Sequence, residues 1–570
     1  MSHIAPFDRD AWKHRLLVAQ GVLPADLILA NGRVLDVFNE QLIDADVAIA
    51  RGVIVGVGRY SNGRVRVDCK GMVIAPSFID AHVHTESSLL WITEFARAVV
   101  PHGTGAVVTD PHEIANIAGL PGLEAMRAAA ATLPLRVRFT VPSCVPASPK
   151  ESPGAVFGPT EIAEMIRWPE TVALGELMNF PGVLAADGGI ADGLDAVYGM
   201  PIDGHAPGLR DRKLQAYIGA GPRSDHESTT LEEAQEKLRA GMMLYIREGS
   251  ASQNLEALLP LVTDANAHRV CFCSDDRDAH LLLEQGHVDH ILRKAIRLGM
   301  DPLRAIRLAT WNAANHWGFT DLGAVAPGFT ANLVVLRDLE QVQVEMTLYA
   351  GQLAAESGQM VAKIPALKEI PGPLAKSMVL APVGISDFRL DPANARQAVV
   401  AIPGEIATDL ATVEPVVVNG EAVADPANDL LKLVCVERHH ATGRVGVGYV
   451  KGFGLQRGAL ASSIAHDAHN IIAVGADDAS LLAAIATVAE SDGGLAAVAD
   501  GEVIAHMPLP IAGILSDLPL AEAAVQYDAM EAAARSLGST LPSPFGLLAF
   551  MALSVIPKAR VTDQGFVTLG

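Results

Sequence analysis

Short apolar runs alternate with longer amphipathic stretches through the first half of the chain, from about Met72 to Asp276. Each run is short enough to be a buried strand rather than a helix. Parallel strands joined by helices produce this rhythm, and eight of them predict a (β/α)8 barrel whose reactive residues lie at the C-terminal ends of the strands. The eight runs are GMVIAPSFID, GAVVTD, RVRFTVP, TVALGEL, GMPIDGH, LQAYIGAG, GMMLYIREG and RVCFCSDD.

The stretches between these runs carry helix start and stop signals. In STTLEEAQEKLRAG, Thr229 followed by Glu232 has the spacing of a capping box, and Gly241 follows the last helical position. These signals favour a helix between the sixth and seventh strands, as the barrel requires.

Alternating apolar and polar positions flank the barrel on both sides. ADLILANGRVLDV and ADVAIARGVIVGVG precede it, and LGAVAPGFTANLVVLRDL and VEMTLYAGQLAA follow it. This period is typical of hairpin strands. We therefore expect one small β-domain made of residues 1–75, which include an N-terminal extension, and residues 320–365, with the barrel of residues 76–319 inserted between its halves.

The last third of the chain has a different pattern of apolar and polar residues. ALKEIPGPLAK is rich in proline and lacks periodicity, which predicts a linker at residues 366–376. Beyond it, PVVVNGEAVA contains the Asn-Gly pair of a tight hairpin, and DASLLAAIATVAE has a helical pattern. Residues 377–570 are thus predicted to form a separate α+β domain.

Composition narrows the class of protein. Half of the 570 residues are apolar, and 43 basic against 65 acidic residues give a net charge of −22, which argues against a nucleic-acid partner. The five cysteines are scattered, as expected for reduced thiols. The N-terminus has charges where a signal peptide is apolar, and no run of about 18 apolar residues could span a membrane. We expect a cytoplasmic enzyme that binds no membrane.

Candidate metal ligands lie at the predicted strand ends. His82 and His84 alternate at the end of the first strand, so their side chains share one face. Nitrogen and oxygen donors of this kind suit Zn, Fe or Mn, and the set is large enough for two ions with Glu176 as a bridge. The whole set, from strands one, four, five, six and eight, is His82, His84, Glu176, His205, His226 and Asp275.

Each ligand has a plainer explanation when it is taken alone. A single His-x-His pair is common, His205 or His226 could be a loop histidine, and Asp275 could be a helix N-cap. The order and position of the complete set favour the metal site, because chance rarely supplies these residue types at the correct strand ends.

Several longer segments resemble one family of the amidohydrolase superfamily, the bacterial adenine deaminases of the two-metal type. The segments are TDPHEIANIAG, GELMNFPGV, GHAPG, SDHES, ERHHATGRVGVGYVKGFGL and ASSIAHDAHNI. The resemblance covers nearly the whole chain and is weakest before Ala25. It implies hydrolysis of adenine to hypoxanthine and ammonia, a pair of divalent ions, with Mn or Fe ahead of Zn, and a homodimer.

The reaction needs two groups that handle protons, because the ring nitrogen gains a proton and the amino group must be protonated to leave. Asp275 is the candidate for taking a proton from water, Glu113 in DPHE for delivering one to the purine, and His112 for binding the substrate. Without the resemblance, DPHE is better explained as a helix start with Asp110 as N-cap and Pro111 at the first helical position.

His466, Asp467 and His469 of SSIAHDAHNI leave three alternatives. They could form a second metal site, lie in a solvated loop, or help to close the mouth of the barrel.

Two other functions also stay open for the whole chain. One is a cyclic amidase such as a dihydroorotase or hydantoinase, although Glu176 stands where those enzymes usually carry a lysine. The other is a noncatalytic scaffold, which would not need the ligands.

Overall fold

The computed structural model describes residues 7–250, 252–403, 406–556 and 558–569. Residues 1–6 of the predicted N-terminal extension lie outside this range. The extension continues as helix α1, Arg9–Ala19, which begins after Asp8 because that side chain accepts a hydrogen bond from the Ala11 N–H.

Five strands precede the barrel. The first pairs antiparallel with the second and parallel with the fourth and fifth. The alternating sequence pattern suits such a sheet, since one face is covered and the other is solvated. The strands are β1 Ala25–Asp36, β2 Gln41–Ala50, β3 Val53–Gly58, β4 Gly63–Asp68 and β5 Val73–Pro76.

The barrel strands follow and pair in parallel. Six of them form one sheet and three form another. A backbone hydrogen bond of 3.1 Å from Arg223 N to Ile202 O connects the two sheets, and β14 continues β13 after Ser274, so the ring closes. The predicted (β/α)8 fold is confirmed. The strands are β6 Phe78–His84, β7 Thr104–Thr109, β8 Arg136–Val141, β9 Thr171–Leu177, β10 Ile202–Gly204, β11 Ser224–Asp225, β12 Met243–Arg247, β13 Val270–Cys273 and β14 Asp275–Asp276.

Helices connect these strands and surround the ring. α3 is interrupted at Gly119, whose φ of 59° is readily adopted only by glycine. The helices are α2 Ile92–Val99, α3 His112–Ala130, α4 Pro159–Met165, α5 Phe180–Leu184, α6 Gly188–Ala196, α7 Asp211–Gly219, α8 Leu231–Arg239, α9 Leu255–Leu258, α10 Ala279–Gln285, α11 Val288–Arg297, α12 Pro302–Arg307 and α13 Ala313–His316.

Two local predictions in this region are wrong. LQAYIGAG lies mostly in α7, where Leu214 and Tyr217 are buried three positions apart on one helical face, and the sixth strand is the short β11. The N-cap of α8 is Thr230 rather than Thr229, because the Thr230 side chain accepts the hydrogen bond from the Glu233 N–H. Gly241 does follow the helix, with a positive φ of 91°.

The strands after the barrel return to the first sheet. β15 pairs antiparallel with β5, which gives a nine-stranded sheet with strands from both flanks of the barrel. The predicted insertion of the barrel in a small β-domain is therefore confirmed. The strands are β15 Leu333–Asp338, β16 Gln343–Tyr349, β17 Gln352–Glu356 and β18 Gln359–Met360.

The C-terminal part contains an eight-stranded sheet with helices against it. The Asn419-Gly420 pair has positive φ at both residues and joins β21 to β22 as predicted. The elements are β19 Gln397–Ala401, β20 Thr408–Thr412, β21 Val416–Val418, β22 Glu421–Val423, β23 Leu431–Val436, β24 Val445–Lys451, β25 Ala459–Ser462, β26 Ile471–Gly475, α14 Asp478–Glu490, β27 Gly494–Ala499, β28 Glu502–Pro508, α15 Leu520–Ser536, α16 Pro544–Ala549, β29 Lys558–Thr562 and β30 Gly565–Leu569.

The C-terminal part packs on the mouth of the barrel. Leu90 after the first barrel strand and Ile514 belong to one continuous apolar core, and Ser516 N donates a hydrogen bond of 2.8 Å to Leu89 O. The segment between β28 and α15 therefore reaches the end of the barrel where active sites form. The exact domain boundaries stay a prediction. Among the described residues, no helix is both long and apolar enough to cross a membrane.

Candidate active site

The first metal-ligand group lies where β6 and β14 end side by side. His84 Nε2 is 3.1 Å from His82 Nε2 and 3.1 Å from Asp275 Oδ1, and the His82 Nε2 to Asp275 Oδ1 distance is 3.6 Å. The two histidines are brought together because alternate residues of a strand point the same way. All three side chains are buried.

Glu176 lies between this group and the remaining histidines. Its Oε1 is 3.3 Å from His84 Nε2, and its Oε2 is 2.6 Å from His205 Nδ1 and 3.1 Å from His226 Nε2. A carboxylate with one oxygen toward each group has the arrangement expected of a bridge between two ions. The structure thus brings together all six residues that the sequence singled out as ligands.

The hydrogen bonds of the two strand histidines test whether a cation fits. His82 Nδ1 donates to Asp203 Oδ2 at 2.8 Å, and His84 Nδ1 donates to the carbonyl of Asp110 at 3.0 Å. With those protons on Nδ1, both Nε2 atoms of neutral imidazoles present lone pairs to each other and to carboxylate oxygens. Lone pairs facing each other at this distance repel unless a cation lies between them. The residues present fit divalent metal ions.

The pKa values show that the carboxylates of the site favour a positive charge beside the His82 and His84 Nε2 atoms, whether a proton or a metal ion supplies it. Burial alone would lower the pKa of His82, but hydrogen bonds to Asp203 and Asp275 raise it well above its usual range. Burial alone would raise the pKa of Asp275, but the charge of Arg247 and hydrogen bonds from His82 and His84 bring it well below its usual range. Asp275 is therefore ionised at neutral pH.

Three contacts of the ligands were missed by the sequence analysis. Arg247 ends β12, where NH1 contacts Asp275 Oδ2 at 2.6 Å and NH2 contacts Glu227 Oε2 at 3.1 Å. Asp203 is the second-last residue of β10 and accepts the hydrogen bond that orients His82. Arg247 and Asp203 lie at strand ends, so the rule that located the ligands could have found them. Glu227 directly follows the predicted ligand His226.

Asp110 has a different role from the predicted one. Helix α3 begins at His112 with Pro111 as N-cap, so the expectation of Asp110 as N-cap is wrong. Asp110 Oδ2 instead accepts a hydrogen bond of 2.8 Å from Glu176 N. Residue 175 is a glycine, and a Cβ there would overlap the Asp110 carboxylate. The Gly-Glu sequence of β9 thus lets Asp110 fix the backbone of Glu176.

Glu113 and His112 lie beside the ligands at the start of α3. Glu113 Oε1 accepts a hydrogen bond of 3.2 Å from Ser87 Oγ. Burial, together with the negative charges of Glu86 and Asp276, raises the pKa of Glu113 to about 8. His112 Nδ1 is 3.8 Å from Glu176 Oε1. Glu113 can therefore be protonated at neutral pH within reach of the metal-ligand residues.

The His466–His469 loop of the C-terminal part closes over the same region. His466, Asp467 and His469 are all buried, so the alternative of a solvated loop is wrong. Asp467 Oδ1 is 3.7 Å from His112 Nε2, and His466 Nδ1 is 3.8 Å from Glu113 Oε1. The loop covers the barrel mouth, which is the third of the alternatives.

A cavity of about 180 Å³ opens next to these residues. Glu113 and Asp276 line its barrel side, and apolar side chains of the C-terminal part line the other. The His466 ring stacks on Phe550 with centroids 4.5 Å apart. A flat apolar ring with polar edges, such as a nucleobase, suits a cavity with one apolar wall and one row of carboxyl groups.

Family models match both large parts of the chain. Residues 73–354 match the amidohydrolase family, and residues 405–569 match the adenine deaminase C-terminal domain. The first match spans the barrel with the strands next to it, and the second includes the loop over its mouth.

Curated relatives match along nearly the whole length. An adenine deaminase of Dehalococcoides mccartyi (strain ATCC BAA-2266 / KCTC 15142 / 195) is 45% identical over 551 residues, covering 96% of each chain. An adenine deaminase of Desulfatibacillum aliphaticivorans is 43% identical over 556 residues, and one of Methanothrix thermoacetophila is 42% identical over 556 residues, each covering 97% of both chains. With such identity over both the barrel and the C-terminal part, the chain belongs to the adenine deaminase family of amidohydrolases.

Proposed function

We propose that this chain hydrolyses adenine to hypoxanthine and ammonia. One observation carries the proposal: ionised Asp275 and protonatable Glu113 line the same cavity, beside a set of buried donors that fits divalent ions. Hydrolytic deamination needs a group that accepts a proton from water and a group that gives one to the ring. The adenine deaminase relatives support adenine as the substrate.

The ions would be held by His82, His84, Glu176, His205, His226 and Asp275. Divalent ions, when bound in such a site, make water acidic enough to react near neutral pH. Mn or Fe is the proposed metal, with Zn as the alternative. The identity of the metal, the homodimer and the cytoplasmic location stay predictions.

Asp275 accepts a proton from the attacking water while the water oxygen bonds to ring carbon C6. Arg247 keeps this carboxylate ionised and fixes Oδ2, so Oδ1 is left toward the histidines. The accepted proton then passes to the amino group, which leaves as ammonia when the C–N bond breaks. Removing the base should therefore slow the reaction more than it weakens substrate binding.

Glu113 delivers a proton to the ring nitrogen next to C6 while aromaticity is lost. When the C–N bond breaks and the carbonyl of hypoxanthine forms, the hydroxyl proton on C6 returns to Glu113. One hydrogen of water thus ends on ammonia, the other replaces the Glu113 proton that moved to the ring nitrogen, and both carboxyl groups regain their starting states. A pKa of about 8 suits this role, since the acid form is present at neutral pH.

His112 is proposed to contact the purine. It lines the cavity together with Glu113 and Asp467. Burial would lower the pKa of His112, but the Asp110 and Asp467 carboxyl groups outweigh burial and raise this pKa to about 10. A charged or donating imidazole at this place can bind a ring nitrogen of the substrate. Asp467 Oδ1 lies 3.7 Å from His112 Nε2, where its negative charge favours the protonated ring.

A substrate panel tests the proposal. Metal-loaded protein is incubated with adenine, adenosine, cytosine, guanine and dihydroorotate, and ammonia release is followed with the ultraviolet change. We expect turnover of adenine and none of adenosine, since the resemblance is to enzymes of the free base. Equal turnover of adenosine would contradict the assignment, and hydrolysis of dihydroorotate alone would favour the cyclic amidase.

A further inference from the structure

His469 is a buried histidine that the proposed reaction does not use. Its side chain has no exposed surface, and neither ring nitrogen has a hydrogen-bond partner among the residues that the structure describes. A buried polar group without a partner costs free energy, so a structure that keeps one usually satisfies it with something else. The nearest acidic group is Glu113, whose Oε2 is 3.9 Å from His469 Nε2.

His466 completes a cluster around the same carboxyl group. Its Nδ1 is 3.8 Å from Glu113 Oε1, and the rings of His466 and His469 have centroids 5.3 Å apart. One donor atom from each of the three side chains lies within 4.8 Å of the other two. All three residues are buried, so their separation is fixed by packing and not by mobile surface side chains.

The purine is a poor candidate for the missing partner of His469. His466 lines both cavities at the barrel mouth, whereas His469 is absent from the described lining of either one. A flat ring that enters through these cavities would therefore meet His466 first and stop short of His469. A single ion needs only the space between three donor atoms.

We propose that Glu113, His466 and His469 form a third cation site, separate from the pair of ions at Glu176, and that a cation bound there inhibits the enzyme. Two imidazole nitrogens and one carboxylate oxygen are a donor set for Zn²⁺ and similar divalent ions. Tetrahedral bonds of about 2.0–2.2 Å place donor atoms roughly 3.3–3.6 Å apart. The histidine nitrogens, 3.8 and 3.9 Å from the Glu113 oxygens, would therefore move a few tenths of an ångström closer around an ion.

A cation at this site would inhibit the enzyme because Glu113 is the proposed proton donor, and this step rests on the proposed function. Glu113 must carry a proton to the ring, and a carboxylate that binds a cation cannot do so. General acid catalysis is typically worth roughly 10²–10⁴-fold, so filling the third site should lower kcat at least about 10-fold. Zinc should fill it at lower concentration than manganese, since Zn²⁺ binds nitrogen donors more tightly.

Zinc counting tests the site without using activity. Metal-depleted full-length protein is equilibrated with increasing Zn²⁺ alone, and bound zinc is measured by emission spectrometry after dialysis. We expect two tight equivalents and a third, weaker one. His469→Gln and, separately, His466→Gln should bind only two. His506→Gln is the matched control, because His506 contacts Ser491 outside the site, and it should keep all three.

The outcomes distinguish a failure of the third cation site from a failure of the proposed adenine deamination. Wild type that saturates at two equivalents, or a folded His469→Gln that keeps the third, would overturn the site. Should His469→Gln fail to fold, the wild-type count and His466→Gln decide. A third equivalent that leaves kcat for adenine unchanged would overturn the inhibition, whereas no adenine turnover at two equivalents would reject the proposed function and leave the count valid.

Discussion

At the scale of single residues, Asp275 contacts His82, His84 and Arg247. Its φ of 57° lies in the left-handed region, which is unusual for a residue other than glycine and is found where a side chain must be aimed. We predict that Asp275→Asn lowers kcat roughly 10²–10⁴-fold, because the amide keeps the size but cannot accept a proton. The measurement is kcat for adenine at matched metal content, and a value within a few-fold of the wild type would remove Asp275 from the mechanism.

A second prediction at this scale concerns the basic side of the pH profile. In the proposed mechanism Glu113 acts in its protonated form, so turnover should fall as pH rises through its pKa of about 8. Burial is the largest cause of that raised pKa, and the negative charge of Glu86 is the next. Glu86→Gln removes the charge, so the pKa of Glu113 decreases and the fall in kcat should move to lower pH.

The control for this prediction is Glu284→Gln, which removes the same charge from an exposed position on α10. Its profile should match the wild type. A Glu86→Gln profile that is unchanged, or that moves to higher pH, would show that another group controls the basic side.

The sequence was informative about the candidate metal ligands and less so about the residues that contact them. His82, His84 and Glu176 could be placed because metal ligands need particular residue types at strand ends. Asp203 and Arg247 lie at strand ends too, but they act through His82 and Asp275, and their residue types have many other uses. Only the fold reveals which partner each one reaches.

At the scale of elements, the barrel strands could be predicted wherever they form continuous buried runs, as in β12, whose five residues are all buried. β11 has two residues and no apolar run, so the hydrophobic pattern pointed to the neighbouring α7 instead. The His466–His469 loop was also beyond the pattern, because its burial depends on contact with α3, which lies far away in sequence.

One connection between elements gives a stability prediction. Ser152, in the loop after β8, donates from Oγ to Asp563 Oδ2 at 2.6 Å and accepts from Arg444 NH1 at 3.0 Å, and its carbonyl accepts from Asn470. Ser152→Ala leaves buried Asp563 without this donor, so we expect a loss of about 1–3 kcal/mol in the free energy of unfolding. Urea unfolding measures it. Ser536→Ala, at an exposed position near the end of α15, should change little, and an equal effect of both would contradict this role for the connection.

At the scale of the whole molecule, the barrel and the C-terminal part are not independent. Leu90 and Ile514 share one core, and Glu113 of the barrel faces His466 of the C-terminal part. The change in sequence pattern after residue 365 predicted a separate C-terminal domain, but this pattern carries no information about which surfaces meet. Residues of both parts line the candidate site, and the curated relatives match both parts of the chain.

The most direct test of the account is the dependence of adenine turnover on bound metal. Metal-depleted protein is reconstituted with increasing Mn²⁺, and ammonia release is measured against the metal retained after dialysis. We expect activity to rise until two equivalents are bound, because Glu176 has one oxygen toward each group of histidines. Full activity at one equivalent or less, or no release of ammonia from adenine at two, would contradict it.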